Sequence, residues 1–168
     1  MKNILFCTTF AITALLSITS ASAAETPETP FTFNGSYFRS GAPMSISHDG
    51  MQVKSSHHQG GIKIIWKTGE SAAFSWDDIH LVTRINELDM SGYALLTSAG
   101  GDGIAIHYKA ESADANGYKI TGDIINGMGK YKHATGKISW QENGNYIEGT
   151  GTLSVKADSA PAAEPGHP

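Results

Sequence analysis

The chain predicts an all-β fold, a single antiparallel β-barrel of about eight strands, on three observations. Apolar and polar residues alternate with period two, as Ile104, Ile106 and Tyr108 do against Ala105, His107 and Lys109. Glycine-rich turn signals recur at intervals of about 8–12 residues, the spacing of short strands in sandwiches and barrels. Charged residues make up only 17% of the chain, and no stretch repeats apolar residues at helical spacing, so half-buried strands fit better than solvated helices.

Both ends of the chain read differently from the middle. Lys2 gives a positive start, residues 4–18 are apolar, and Ala21-Ser22-Ala23 is a small-residue cleavage site. Together they predict a signal peptide over 1–23. The apolar run is shorter than the roughly 20 residues that span a bilayer, so the mature chain is expected to be exported, periplasmic or secreted, and not inserted in a membrane. The single cysteine, Cys7, lies in this leader with Phe6 before it. The mature chain then has no disulfide, thiolate nucleophile or cysteine ligand, and Cys7 is no lipidation site. Residues 24–30 form an acidic, proline-rich linker, and 157–168 (ADSAPAAEPGHP) a low-complexity tail, both expected to be disordered. The domain is expected over 31–156. A formal charge of −4, more negative once Lys2 is removed, argues against nucleic acid as a partner, since phosphate binding rests on clustered cations.

The strands follow in order. Residues 31–33 and 36–39 flank Asn34-Gly35, a turn signal. Strands at 44–47 and 51–57 flank Asp49-Gly50, a hairpin signature. His58-Gln59-Gly60-Gly61 is expected to turn into a strand over 62–67. Ala72, Phe74 and Trp76 share the inward face of the next strand. Asp77-Asp78 begins an irregular segment, after which Ile79, Leu81, Thr83 and Ile85 alternate with His80, Val82 and Arg84. Residues 86–92 read as a polar turn, 93–98 as a strand, and 99–103 as a hairpin. Tyr118, Ile120, Gly122 and Ile124 mark the strand after Asn116-Gly117. Residues 137–140 and 146–156 close the set, with Ile147, Leu153 and Val155 on one face and Gly149 and Gly151 between them.

Gly101-Asp102-Gly103 and the run from Ile125 to Gly136, INGMGKYKHATG, carry a resemblance. The pattern G-x-G-x-Y-x-x-x-x-G, here Gly127, Gly129, Tyr131 and Gly136, resembles the allene oxide cyclase barrel-like superfamily, which includes dirigent-like proteins. The resemblance covers about 40 residues and implies a barrel with a structural corner. In it the glycines permit the bend, Tyr131 plugs the barrel end, and Lys130, Lys132 and His133 face solvent. Plant cyclases of this group use an interior glutamate and a cysteine. The mature chain lacks cysteine, so no catalytic residue is carried over.

Candidate chemistry in the rest of the chain is sparse. The segment from Gly129 to Lys137 has the wrong spacing for a phosphate loop, with Ile138 where Ser or Thr must bind magnesium. His48, His57, His58, His80, His107 and His133 show no ligand-spacing motif. Adjacent His57 and His58 point to opposite faces, and His80 and His107 fall on outward-reading faces, so surface histidines and no metal are expected. Asp77-Asp78 and Glu87/Asp89 are carboxylate pairs without an accompanying nucleophile or base, and read as solvated turn residues. The aromatic residues Trp66, Phe74, Trp76, Tyr93, Tyr108 and Trp140 are core candidates that also supply the ligand-binding residues of a barrel mouth.

Three function classes follow. The chain is expected to bind a small apolar or aromatic molecule at the barrel mouth, without catalysis and without a cofactor. The alternatives are a barrel-templated cyclase or isomerase and an envelope-associated interaction module. The residues leave the oligomeric state open.

Overall fold

The computed structural model describes residues 27–84, 88–115 and 117–156. The segment expected to be a signal peptide, residues 24–26 of the expected linker, and the tail 157–168 lie outside the described residues. Nine strands follow in order: β1 (Thr29–Arg39), β2 (Met44–His48), β3 (Met51–Trp66), β4 (Ser71–Arg84), β5 (Leu88–Ser98), β6 (Gly103–Asp114), β7 (Gly117–Met128), β8 (Ala134–Asn143) and β9 (Tyr146–Val155). One 3-10 turn, Gly129–Tyr131, joins β7 to β8. From β3 to β9 each strand pairs antiparallel with the next; β9 then pairs with β1, and β1 with β3. Eight strands therefore close into the expected barrel, and closure removes the open edges that an isolated sheet would expose. The length of β3 makes this possible. Its second half carries β1, from Trp66 opposite Phe31 to His58 opposite Arg39. Its first part carries β2, which stays outside the ring, with Ser55 opposite Met44.

Several turns fall where the residues predict them. Asp49 and Gly50 both hold positive φ (45° and 81°), and Gly101 and Gly144 do likewise in their hairpins. Two predicted turns do not exist. Asn34-Gly35 and His58–Gly61 are both extended within the β1–β3 ladder, Asn34 and Gly35 opposite Lys63 and Ile62, and His58 and Gly61 opposite Arg39 and Ser36. The glycines here serve close strand approach instead of reversal: a Cβ on Gly60 would stand 2.6 Å from Tyr37 Cα. Similarly, β5 begins at Leu88, so residues 88–92 are strand and not turn.

The most consequential correction concerns β4. No irregular segment begins at Asp77-Asp78; the ladder with β3 runs unbroken from Ser71 to Arg84. Without a register shift the alternation does not reset. Phe74, Trp76, Asp78 and His80 therefore all point inward and are buried, whereas Ile79 and Leu81 face outward.

The barrel interior has two unlike halves. Around the corner it is filled with Phe31, Phe33, Ile64, Phe74 and Leu153. Tyr131 is only 6% exposed, its ring centroid 6.0 Å from that of Phe74 and 6.4 Å from that of Trp66, so it closes this end as expected. Gly129 takes φ +61°, which turns the backbone so that Lys130 N–H donates to Asp102 Oδ1 at 3.1 Å. Lys130, Lys132 and His133 are exposed. The opposite end, where Arg39, Lys54, Arg84, Glu142 and Asn145 lie, is polar.

Candidate functional site

The polar half rests on an aromatic floor. Trp140 meets Trp76 edge-on at 5.7 Å between centroids and Tyr108 at 5.1 Å, offset geometries that suit ring quadrupoles. Each indole N–H then needs an acceptor, and each finds a carboxylate two residues further along its own strand. Trp76 Nε1 donates to Asp78 Oδ2 at 3.1 Å, and Trp140 Nε1 to Glu142 Oε1 at 3.3 Å. Residues i and i+2 of a strand share a face, so Trp-x-Asp on β4 and Trp-x-Glu on β8 build the same unit twice. Tyr108 adds a second donor to Asp78 Oδ2 at 3.1 Å.

Above this floor stand two buried histidines. His58 Nδ1 lies 3.4 Å from Asp78 Oδ1 and His80 Nδ1 lies 3.6 Å from it. Both separations are in ion-pair range and longer than the roughly 2.7–3.2 Å of an N–H···O bond. Asp78 Oδ1 is consequently buried without a hydrogen-bond partner. Burial pushes the Asp78 carboxyl up, but the imidazoles of His58 and His80 outweigh it and bring its pKa down to about 2. Glu142 behaves oppositely. Burial holds its pKa above the ordinary carboxylate value despite bonds from Trp140 and Tyr37, and Asp78 adds repulsion. The two carboxylates thus differ by environment: the facing imidazoles lower Asp78, whereas burial raises Glu142. Burial likewise pushes the phenols of Tyr37 and Tyr108 up, reinforced by Glu142 at Tyr37 and Asp78 at Tyr108.

Tyr37 links the two clusters. Its ring stacks on His58 (4.7 Å, 26°), and its hydroxyl is 3.1 Å from Glu142 Oε2. Over these groups opens a cavity of about 570 Å³, with His58, His80, Tyr37 and Glu142 inside and Arg39, Lys54 and Arg84 around the mouth. A larger depression, about 720 Å³, crosses the outer surface of β6–β9 near Lys109, Asp123 and Lys137. We regard the smaller cavity as the candidate site, because it alone of the two joins enclosure to buried titratable groups with shifted pKa values.

The aromatic residues proposed for ligand binding divide. Trp76, Tyr108 and Trp140 are buried beneath the cavity, and Phe74 is packed in the filled half with half-buried Trp66 beside it. Tyr93 is 61% exposed on the outer face, opposite His107, so it cannot join the others. The surface reading holds for His48 and His133, and His57 pairs with Asp77 on the outer face at 2.6 Å. It fails for His58 and His80, because the strands carrying them continue without a break. Asp77 and Asp78 diverge as adjacent strand residues must; Asp89 is exposed, and Glu87 lies outside the described residues. Reading the sequence missed Tyr37, Glu142, Asp78, His58 and His80 as one group. The available signal was the uninterrupted alternation Phe74, Trp76, Asp78, His80, together with the repeated Trp-x-acid unit.

Gly92 sets the position of Tyr108. A Cβ there would lie 2.7 Å from both Tyr108 Cζ and the Ile79 carbonyl oxygen. Gly92→Ala is expected to displace the ring and cost about 1–3 kcal/mol, read as a lower thermal midpoint with an altered near-ultraviolet circular dichroism spectrum.

No protein-family model matches the chain, and a comparison with curated proteins gives no match either.

Proposed function

We propose that this is an exported, allene oxide cyclase-like barrel that binds a small molecule bearing an anionic group at its polar end. The observation that carries the reading is the placement of the arginines. The acidic chain contains only two, Arg39 and Arg84, and both line this one mouth together with Lys54. Among the described residues none of the three has a carboxylate partner within ion-pair distance. Clustered cations above a polar, partly enclosed cavity suit a carboxylate or phosphate group, with Tyr37, His80 and Glu142 available to orient the rest of the ligand. Of the rings that would have favoured an apolar ligand, Phe74, Trp76, Tyr108 and Trp140 are buried in packing and Tyr93 faces outward, so the expected ligand chemistry moves from apolar to anionic.

Native mass spectrometry of the protein purified from its own host tests this. A retained acidic small molecule is expected, with affinity falling about tenfold or more for each of Arg39→Gln and Arg84→Gln. A retained neutral lipid, or an acidic ligand indifferent to both substitutions, would overturn the reading. A second reading, an interaction module, is favoured by the outward apolar residues Ile79, Leu81 and Tyr93 on β4 and β5. Its mark would be a stable complex lost on Ile79→Lys with the ligand site intact.

A further inference from the structure

We infer that His58, Asp78 and His80 form a binding site for one divalent first-row transition cation, at the floor of the cavity. This stands apart from the anion reading, although His80 lines the same cavity: that reading is carried by the cations Arg39, Lys54 and Arg84, and this one by the donor geometry of His58, Asp78 and His80. One nitrogen from each histidine and one carboxylate oxygen all lie within 4.8 Å of one another, and all three residues are buried. Bonds of about 2.0–2.2 Å in a tetrahedral site place neighbouring donor atoms about 3.3–3.6 Å apart. The observed 3.4 and 3.6 Å from Asp78 Oδ1 to the two Nδ1 atoms are such separations, and are poor hydrogen bonds.

The supporting partners point the same way. Asp78 Oδ2 is occupied by Trp76 Nε1 and the Tyr108 hydroxyl, which fix the carboxylate and leave Oδ1 directed at the histidines. Oδ1 is also the one buried side-chain polar atom among the described residues left without a hydrogen bond. A buried anionic oxygen facing two imidazoles is costly unless a cation or proton lies between them. Two imidazoles and one carboxylate suit zinc and its neighbours, whereas magnesium and calcium prefer all-oxygen sets. His58 and His80 line the cavity, so solvent reaches the site and a fourth ligand position faces the space above it. Three protein ligands with one open position is the arrangement of zinc centres that hold water or a substrate group.

The test uses tag-free protein stripped with a chelator and titrated with Zn²⁺ by calorimetry and with Co²⁺ by visible absorption. One ion per chain and the intense d–d bands of four-coordinate cobalt are expected. His58→Ala and His80→Ala should each weaken zinc binding beyond the roughly 10–100-fold typical of losing a supporting partner, and Tyr108→Phe should fall within that range. His57→Ala, which removes the outer-face histidine beside Asp77, should leave zinc affinity unchanged. Zinc affinity is read on the histidine variants and acidic-ligand retention on the arginine variants, so the metal and anion readings fail separately. If a histidine variant does not fold, the wild-type imidazole resonances decide: those of His58 and His80 must shift on zinc addition and that of His57 must not. Absence of stoichiometric binding by the wild type, binding indifferent to both His58→Ala and His80→Ala, or loss on His57→Ala would overturn the assignment.

Discussion

Trp76→Ala is expected to destabilise the barrel by about 3–5 kcal/mol, measured as a fall in the midpoint of urea unfolding at unchanged slope. The indole is 1% exposed and packs edge-on against Trp140, so its removal leaves a cavity with rigid walls on closed strands that cannot collapse inward. The same substitution takes a donor from Asp78, whose other oxygen already lacks a hydrogen bond. Trp76→Phe separates the two effects. It keeps much of the apolar volume but loses the N–H, and should cost about 1–3 kcal/mol. Equal losses for the two variants would show that the indole N–H, and not packing, dominates at this position.

Gly127→Val should cost about 3 kcal/mol or more, read as loss of soluble folded protein or a lower midpoint of unfolding. A Cβ on Gly127 would stand 2.7 Å from the Gly103 carbonyl oxygen and 2.8 Å from the Tyr131 carbonyl carbon. Both neighbours are backbone and neither can rotate aside, so relief requires moving the β6–β7 ladder or the turn that seats Tyr131. The corner's charged surface gives the contrast. Lys130 Nζ is exposed and 3.7 Å from Asp102 Oδ2, a surface ion pair. Lys130→Ala should change stability by less than about 1 kcal/mol. A mild Gly127→Val variant together with a damaging Lys130→Ala variant would mean that the corner is held by its charges and not by its backbone fit.

The corner was legible in the sequence because its cause is local. Gly127, Gly129 and Tyr131 lie within five residues, and bend, positive φ and ring placement all follow from that short stretch. The same holds for Asp49-Gly50 and for the alternations that place Ile104, Ile106 and Tyr108 inside. Local signals misled where pairing overrode them. Asn34-Gly35 and His58–Gly61 carry turn-forming residues, yet lie in long ladders whose many hydrogen bonds outweigh a turn preference.

The polar site shows the division most sharply. Period two is a property of the chain, so the sequence by itself determined that Trp76, Asp78 and His80 share one face, and that His57 and His58 do not. Which side of the sheet that face meets was decided by the unbroken register between β3 and β4, since a one-residue slip would have exchanged the buried Asp78 and His80 for Ile79 and Leu81. Bringing Tyr37, His58, His80, Tyr108 and Glu142 together was decided by closure alone. These residues come from β1, β3, β4, β6 and β8, and only the pairing of β1 with both β9 and β3 bends the sheet until their side chains converge on one interior.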